Sequence, residues 1–348
     1  TLQVTAASIQ IKGASSRNTI LKPSDLTVDF LEITTASGLS NLSINADAAS
    51  RSTATALTVS GTNNLSKIMD YRSFFFDTGL LFSGTGNRSA AFDCVLGFNT
   101  TGLILDGVDV VVWDSFIGGS LGTPFGTGVI VRGGSSSNAT LSGVNILRNV
   151  IGIQCEDTCN ARITSPTVEA CVTGMSLEGA SRTNMTGAII FGSSTTGISI
   201  TESGTKAFID GSQIDGLISA TNTGNGVIVS GGATASLNGC SIESCVNALT
   251  VGVSVSDTST TIAECQGIAI HNGNTNHIAQ NGTSTLRFVG GSFNGSPSKL
   301  SINDATNVSF AAYDENNDDV LALGKFSDVD QDPIQIEDGT TDTQKLAY

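Results

Sequence analysis

One short element recurs along this chain: a small residue followed by an apolar, a variable and a second apolar residue. It reads Ala56-Leu-Thr-Val, Gly79-Leu-Leu-Phe, Gly102-Leu-Ile-Leu, Gly128-Val-Ile-Val, Gly152-Ile-Gln-Cys, Gly174-Met-Ser-Leu, Gly197-Ile-Ser-Ile, Gly226-Val-Ile-Val, Ala248-Leu-Thr-Val and Gly267-Ile-Ala-Ile. Successive starts lie 23, 23, 26, 24, 22, 23, 29, 22 and 19 residues apart. A near-constant period in the low twenties marks a solenoid, in which each repeat buries its apolar face against its neighbours. Strand side chains alternate faces, so the two apolar positions of each element point inward together. Leu103 with Leu105, and Ile198 with Ile200, then stack on their equivalents one coil away.

A second element lies upstream in several coils: Leu141-Ser-Gly-Val-Asn-Ile146, Ile163-Thr-Ser-Pro-Thr-Val168, Ile209-Asp-Gly-Ser-Gln-Ile214 and Leu237-Asn-Gly-Cys-Ser-Ile242. Two or three short strands per coil, joined by turns of Gly, Asn or Ser, fit this period. Leucine-rich repeats share the period, but their L-x-x-L-x-L-x-x-N signature is absent. Abundant glycine (40 residues), few charged residues (14%) and many β-branched ones favour strands over helices. The expectation is an all-β chain, a single-stranded parallel β-helix of about ten coils. Residues 1–55 are expected to form an N-terminal cap with leading strands, 56–270 the helix proper, and 271–348 terminal coils with an irregular, acidic cap or connector.

These ladders resemble the pectate-lyase-like superfamily of right-handed parallel β-helices, over about residues 50–300. That superfamily includes pectate lyases, polygalacturonases, bacterial adhesin passengers and the tailspikes and fibres of bacteriophages. The resemblance implies a right-handed coil. It does not carry pectinolytic activity with it: the N-T-D, G-H-G and R-I-K signatures of polygalacturonases are missing, and Asp318-Asp319 stands alone in the tail. The two histidines, His271 and His277, lie outside the regular ladder. The Ser/Thr/Asn/Gly-rich, acidic, aromatic-poor composition is closest in character to a viral spike or fibre.

The net charge of −15 opposes a nucleic-acid-binding surface, which needs clustered Lys and Arg. No run of eighteen apolar residues offers a membrane span. Seven cysteines (94, 155, 159, 171, 240, 245 and 265) form no C-x-x-C pair. They read as small apolar residues of the interior rather than zinc ligands. The start at Thr1 reads as a processed or trimmed piece.

Three sets of residues carry candidate chemistry. Asp215, Glu243 and Glu264 each follow an apolar residue at similar places in successive coils, with Glu169 equivalent earlier. Stacked carboxyls about 5 Å apart are near the separation used by retaining glycosidases, while a solvated acidic face is the commoner outcome. Trp113, Phe116 and Phe125 cluster in one longer coil and either stack on a sugar or pack internally. Asp314, Asn316 and Asp318, followed by Asp328, Asp330 and Asp332, alternate as calcium ligands do. Neither run has the Gly and Glu of an EF-hand loop, so ordinary acidic turns are the leading reading and no cofactor is expected, with calcium the one alternative. Gly118-Gly-Ser120-Leu-Gly122 matches a nucleophile elbow in letters, without the strand-turn-helix context that motif requires. Asn-x-Ser/Thr sequons occur at Asn41, Asn64, Asn87, Asn99, Asn138, Asn184, Asn281, Asn294 and Asn307. The leading expectation is a homotrimeric virion spike, fibre or surface appendage binding a cell-surface glycan. The alternatives are an extracellular polysaccharide-cleaving enzyme and a bacterial adhesin.

Overall fold

The computed structural model describes residues 1–48, 51–119, 123–134, 138–216, 224–252, 260–270, 276–293, 300–302, 308–314 and 319–323. They fall into two units, Thr1–Asn184 and Met185–Tyr348. Each is a parallel β-helix, and no helix among the described residues is long and apolar enough to cross a membrane.

In the first unit the recurrent Gly-apolar-x-apolar elements form one ladder, through Thr55–Val59, Thr78–Ser83, Thr101–Asp106, Thr127–Arg132, Ile151–Cys155 and Thr173–Leu177. Every pair is parallel and in register. One inward row runs Leu57, Leu80, Leu103, Val129, Ile153, Met175, and the other Val59, Phe82, Leu105, Val131, Cys155, Leu177. All twelve are fully buried. Burying each contributes about 1.5–3 kcal/mol for the larger aliphatic side chains, which is why the register does not slip. A one-residue shift would turn both rows outward. The second unit repeats the arrangement with Ile198, Val227, Leu249, Ile278 and with Ile200, Val229, Val251, Gln280. Gln280 is buried where the others are apolar, and its amide donates to the carbonyls of Gly282 and Ser284.

The small residue opening each element is a matter of room. A Cβ on Gly102 would stand 2.3 Å from Ile117 Cγ2 and 2.7 Å from the Gly128 carbonyl oxygen. The side chain of the short strand that follows in the chain, here Ile117 on Phe116–Gly118, fills that space.

Two further ladders complete each coil. Ala90–Phe92, Val111–Trp113, Asn138–Ser142 and Asn160–Thr164 form one; Val95–Gly97, Phe116–Gly118, Asn145–Leu147 and Thr167–Glu169 form the other. The second sequence element is the corner between them. Its central residue takes a left-handed conformation in coil after coil: Asn41 (φ 57°), Asp70 (42°), Asp93 (52°), Asp114 (47°), Gly143 (62°) and Ser165 (48°) in the first unit, then Gly187, Gly211, Gly239, Gly267 and Gly290 in the second. Gly, Asn and Asp reach this region most cheaply. At another corner Asn64 and Asn87 turn inward: Asn87 Nδ2 donates to the carbonyls of Val59 and Ser83 while its Oδ1 accepts from Ser89 N–H.

Within residues 1–55, expected as an N-terminal cap with leading strands, the strands pair as rungs. Leu2–Val4 lies parallel to Leu31–Ile33, which lies parallel to Thr55–Val59. At the other end Val308–Asp314 pairs parallel with Thr285–Phe293 and antiparallel with Asp319–Leu323, which covers an edge that would otherwise stay open.

Candidate functional site

The described side chains gather into three groups with chemical potential. The first is an aromatic row at the corner between the two short-strand ladders. Met69, Phe92 and Trp113 are register partners on successive rungs. The Phe92 and Trp113 rings stack with centroids 4.7 Å apart and planes tilted by 21°. That spacing is the rung spacing of a parallel sheet, so the rings stand outward side by side, half-buried, with Met69 47% exposed below them. The corner residues that follow, Asp93 and Asp114, are exposed carboxylates. Phe116, 37% exposed, belongs to the neighbouring ladder with Val95 and Asn145.

Phe125 goes elsewhere. Its ring lies 4.2 Å from the Arg51 guanidinium, and Arg51 also donates to the Phe98 carbonyl. Phe98 stacks on Phe75 at 5.3 Å, with Phe74 beside both. The three aromatic candidates thus divide between an outward row, where Trp113 pairs with Phe92, a neighbouring ladder that carries Phe116, and a half-buried packing cluster.

The second group is acidic. Asp215 and Glu243 are direct register partners on Gln213–Asp215 and Ser241–Glu243, and Gln213 Nε2 donates to Glu243 Oε1 at 3.0 Å. Glu264 does not join them. It lies on Ile262–Gln266, opposite Ser236 and Arg287, in the ladder before the corner rather than after it. The expected three-member column is therefore a pair, because the corner glycine of that coil, Gly267, follows Glu264 instead of preceding it. Glu169 sits on the corresponding ladder of the first unit opposite Leu147.

A third group escaped the sequence reading. At the end of the main ladder Arg132 pairs with Asp106 at 3.0 Å and with Glu156 at 3.8 Å. Gln154 Nε2 donates both to Glu156 (3.0 Å) and to Glu178 (2.7 Å). Partial burial, and then the charge of Asp157, push the Glu156 carboxyl above its ordinary range against the pull of Arg132. Part of the signal lies in the sequence: Asp106, Arg132, Glu156 and Glu178 each follow the last apolar position of successive elements.

All seven cysteines are buried and free, as interior thiols should be. Burial raises Cys94 and Cys245 to about 12 and Cys171 to about 11. These three thiols are inert rather than nucleophilic, whereas a hydrogen bond from Cys155 lowers the Cys159 thiol. Among the sequons, Asn64, Asn87 and Asn99 are buried within the coil. His277 is also buried. Of the calcium candidates, Asp314 ends a strand opposite Asp319, whereas Asn316, Asp318 and the run Asp328–Asp332 lie outside the described residues, as do His271 and Ser120. No group of three or more metal-ligating side chains occurs among the described residues.

The profile described as right handed beta helix region matches residues 78–214. No curated protein sequence matches the chain. Among solved structures it is similar to the Dettilon tailspike protein, with 15% identity and a TM-score of 0.56 over 82% of this chain and 60% of that one. It is also similar to the catalytic unit of an alpha-1,3-glucanase of family GH87 from Streptomyces thermodiastaticus, with 12% identity and a TM-score of 0.43, covering 88% and 61%. A third is the enzymatically active domain of bacteriophage CBA120 tailspike protein 2, with 14% identity and a TM-score of 0.44, covering 89% and 47%. The first likeness establishes the fold, a right-handed parallel β-helix. The chain spans less than two thirds of each of these proteins.

Proposed function

We propose that this chain is the recognition β-helix of a virion spike, fibre or comparable surface appendage, and that it binds a cell-surface glycan without cleaving it. The observation that carries the reading is the outward Phe92–Trp113 stack beside exposed Asp93 and Asp114. Rings that offer an apolar body at a wet surface, next to hydrogen-bond acceptors, suit a sugar better than a protein core. The fold shared with a tailspike supports it, and the net charge of −15 opposes a nucleic-acid partner. A homotrimer at the virion surface or outside the cell completes the reading. Exposed Ile189, Phe208 and Val289 supply apolar surface for self-association.

Light scattering on the purified chain tests the assembly, with three times the 35.5 kDa chain mass expected. Co-sedimentation with insoluble bacterial surface polysaccharide tests the binding. A monomer that stays in the supernatant when the polysaccharide is pelleted refutes the proposal.

One rival rests on its own observation. The facing pairs Asp215–Glu243 and Glu156–Glu178 are the kind of carboxylates a glycan-cleaving enzyme requires. Release of reducing ends that disappears in Asp215→Asn or Glu156→Gln would favour it.

A further inference from the structure

The aromatic row ends in a step. One face of the Trp113 indole is covered by Phe92. The other face is turned toward the next rung, where the register partner of Trp113 is Ser142, followed by Thr164. Replacing an indole by a hydroxymethyl group one rung on leaves the ring's second face standing above a low shelf. Asp114 closes one side of that shelf: its Oδ1 lies 2.5 Å from where a Cβ on Gly143 would be, so the carboxylate leans over the Gly143 backbone. Asn145, exposed on the next strand, borders it on the far side of the corner.

The corner conformation adds an independent observation. In the second unit the left-handed corner residue is Gly at 187, 211, 239 and 267, the least strained choice. In the first unit it is Asn41, then Asp at 70, 93 and 114, the rungs that carry Met69, Phe92 and Trp113, and then Gly143 and Ser165. Carboxylates stand where glycine would be cheaper, alongside the aromatic row.

From this we infer that the Trp113 step is a saccharide subsite for an uncharged pyranose. The inference rests on the glycan-binding reading above and narrows it. The apolar C–H face of the sugar lies on the free indole face, and its hydroxyls donate to the Asp114 carboxylate, with Asn145 beside them. A uronic or sialic acid residue is excluded, because its own carboxylate would face Asp114 and Asp93 in a protein of net charge −15. The cations of this ladder stand off from the step: Lys67 and Arg162 each sit two rungs from Val111, on opposite sides.

Trp113 is the only tryptophan of the chain, so its emission reports the site directly. The intact protein is titrated with neutral gluco- and galacto-oligosaccharides and, in parallel, with oligogalacturonate. The expected result is saturable quenching or a blue shift with a neutral oligosaccharide and none with oligogalacturonate. Ser142→Leu, which fills the shelf on an outward position and keeps a single tryptophan, should weaken that binding at least tenfold. Asp114→Asn should weaken it several-fold, and the far-ultraviolet dichroism and melting of both variants should match the parent. Binding of oligogalacturonate in place of the neutral sugars, or unaltered binding by Ser142→Leu, overturns the inference. Sedimentation with whole surface polysaccharide but no response of Trp113 also overturns it while leaving the broader reading standing. Absence of binding in both assays defeats both.

Discussion

Raising the pH from 8 to 10 should cost this protein about 4 kcal/mol of stability through three thiols alone. Cys94 and Cys245 are raised to about 12 and Cys171 to about 11, each chiefly by burial, against an ordinary value of 9.0. For an acid whose folded value lies above its unfolded one, the folded state holds the proton longer. The contribution is intact below pH 9 and is lost as the pH climbs toward the folded value. At pH 10 an unfolded thiol is about nine-tenths ionised while its folded counterpart is neutral, a difference of about 1.4 kcal/mol each. Cys240 and Cys265 are raised as well and act in the same direction. Guanidinium unfolding under reducing conditions at pH 8, 9 and 10 measures the slope. The triple variant Cys94→Ala, Cys171→Ala, Cys245→Ala will be less stable at pH 8, because it leaves small cavities, but should lose about 4 kcal/mol less than the parent between pH 8 and 10. Equal losses in the two proteins would refute the reasoning, as would rapid labelling of native thiols at pH 8.

Other perturbations probe the coil one feature at a time. Asn87→Ala leaves the carbonyls of Val59 and Ser83 and the Ser89 N–H without their buried partner, and should cost about 2–4 kcal/mol by denaturant unfolding; exposed Asn138→Ala should cost under about 0.5 kcal/mol. Two glycines separate crowding from backbone strain: a Cβ on Gly152 would meet the Gly174 carbonyl and Val168 Cγ1, each at 2.5 Å, whereas one on Gly211 meets nothing within 4 Å but needs φ 54°. Gly152→Val should cost about 3 kcal/mol or more, and Gly211→Ala about 1–2 kcal/mol, read as shifts in the unfolding midpoint. Glu156→Gln should raise the melting temperature at neutral pH. Because the folded Glu156 carboxyl sits above its ordinary value, it destabilises when ionised, so the gain should fade as the pH falls through the carboxylate range.

The rungs of the main ladder were legible because their constraint is local: a glycine that must admit a neighbouring side chain, then two inward apolar residues. The corners were legible as a spacing, though not as a left-handed residue. The first rungs were hidden because Thr1 and Phe30 stand before Leu2 and Leu31 where the repeat shows Gly or Ala. Glu264 falls in the other ladder because an acid that follows an apolar residue looks alike on either side of a corner; only the position of Gly267 decides. Phe92 was missed as the partner of Trp113 because its coil carries Asp93 where the motif shows a glycine. The Glu156–Gln154–Glu178 bridge depends on which rungs face each other, which no window of a single coil contains.

The central claim is that this β-helix recognises a glycan and does not cut it. The most direct measurement follows Trp113 emission and the appearance of new reducing ends in the same sample as surface polysaccharide is added. The expected result is a saturable change in emission with no reducing ends released over hours. Steady release of reducing ends, or an emission that stays unchanged while the polysaccharide is in excess, would contradict it.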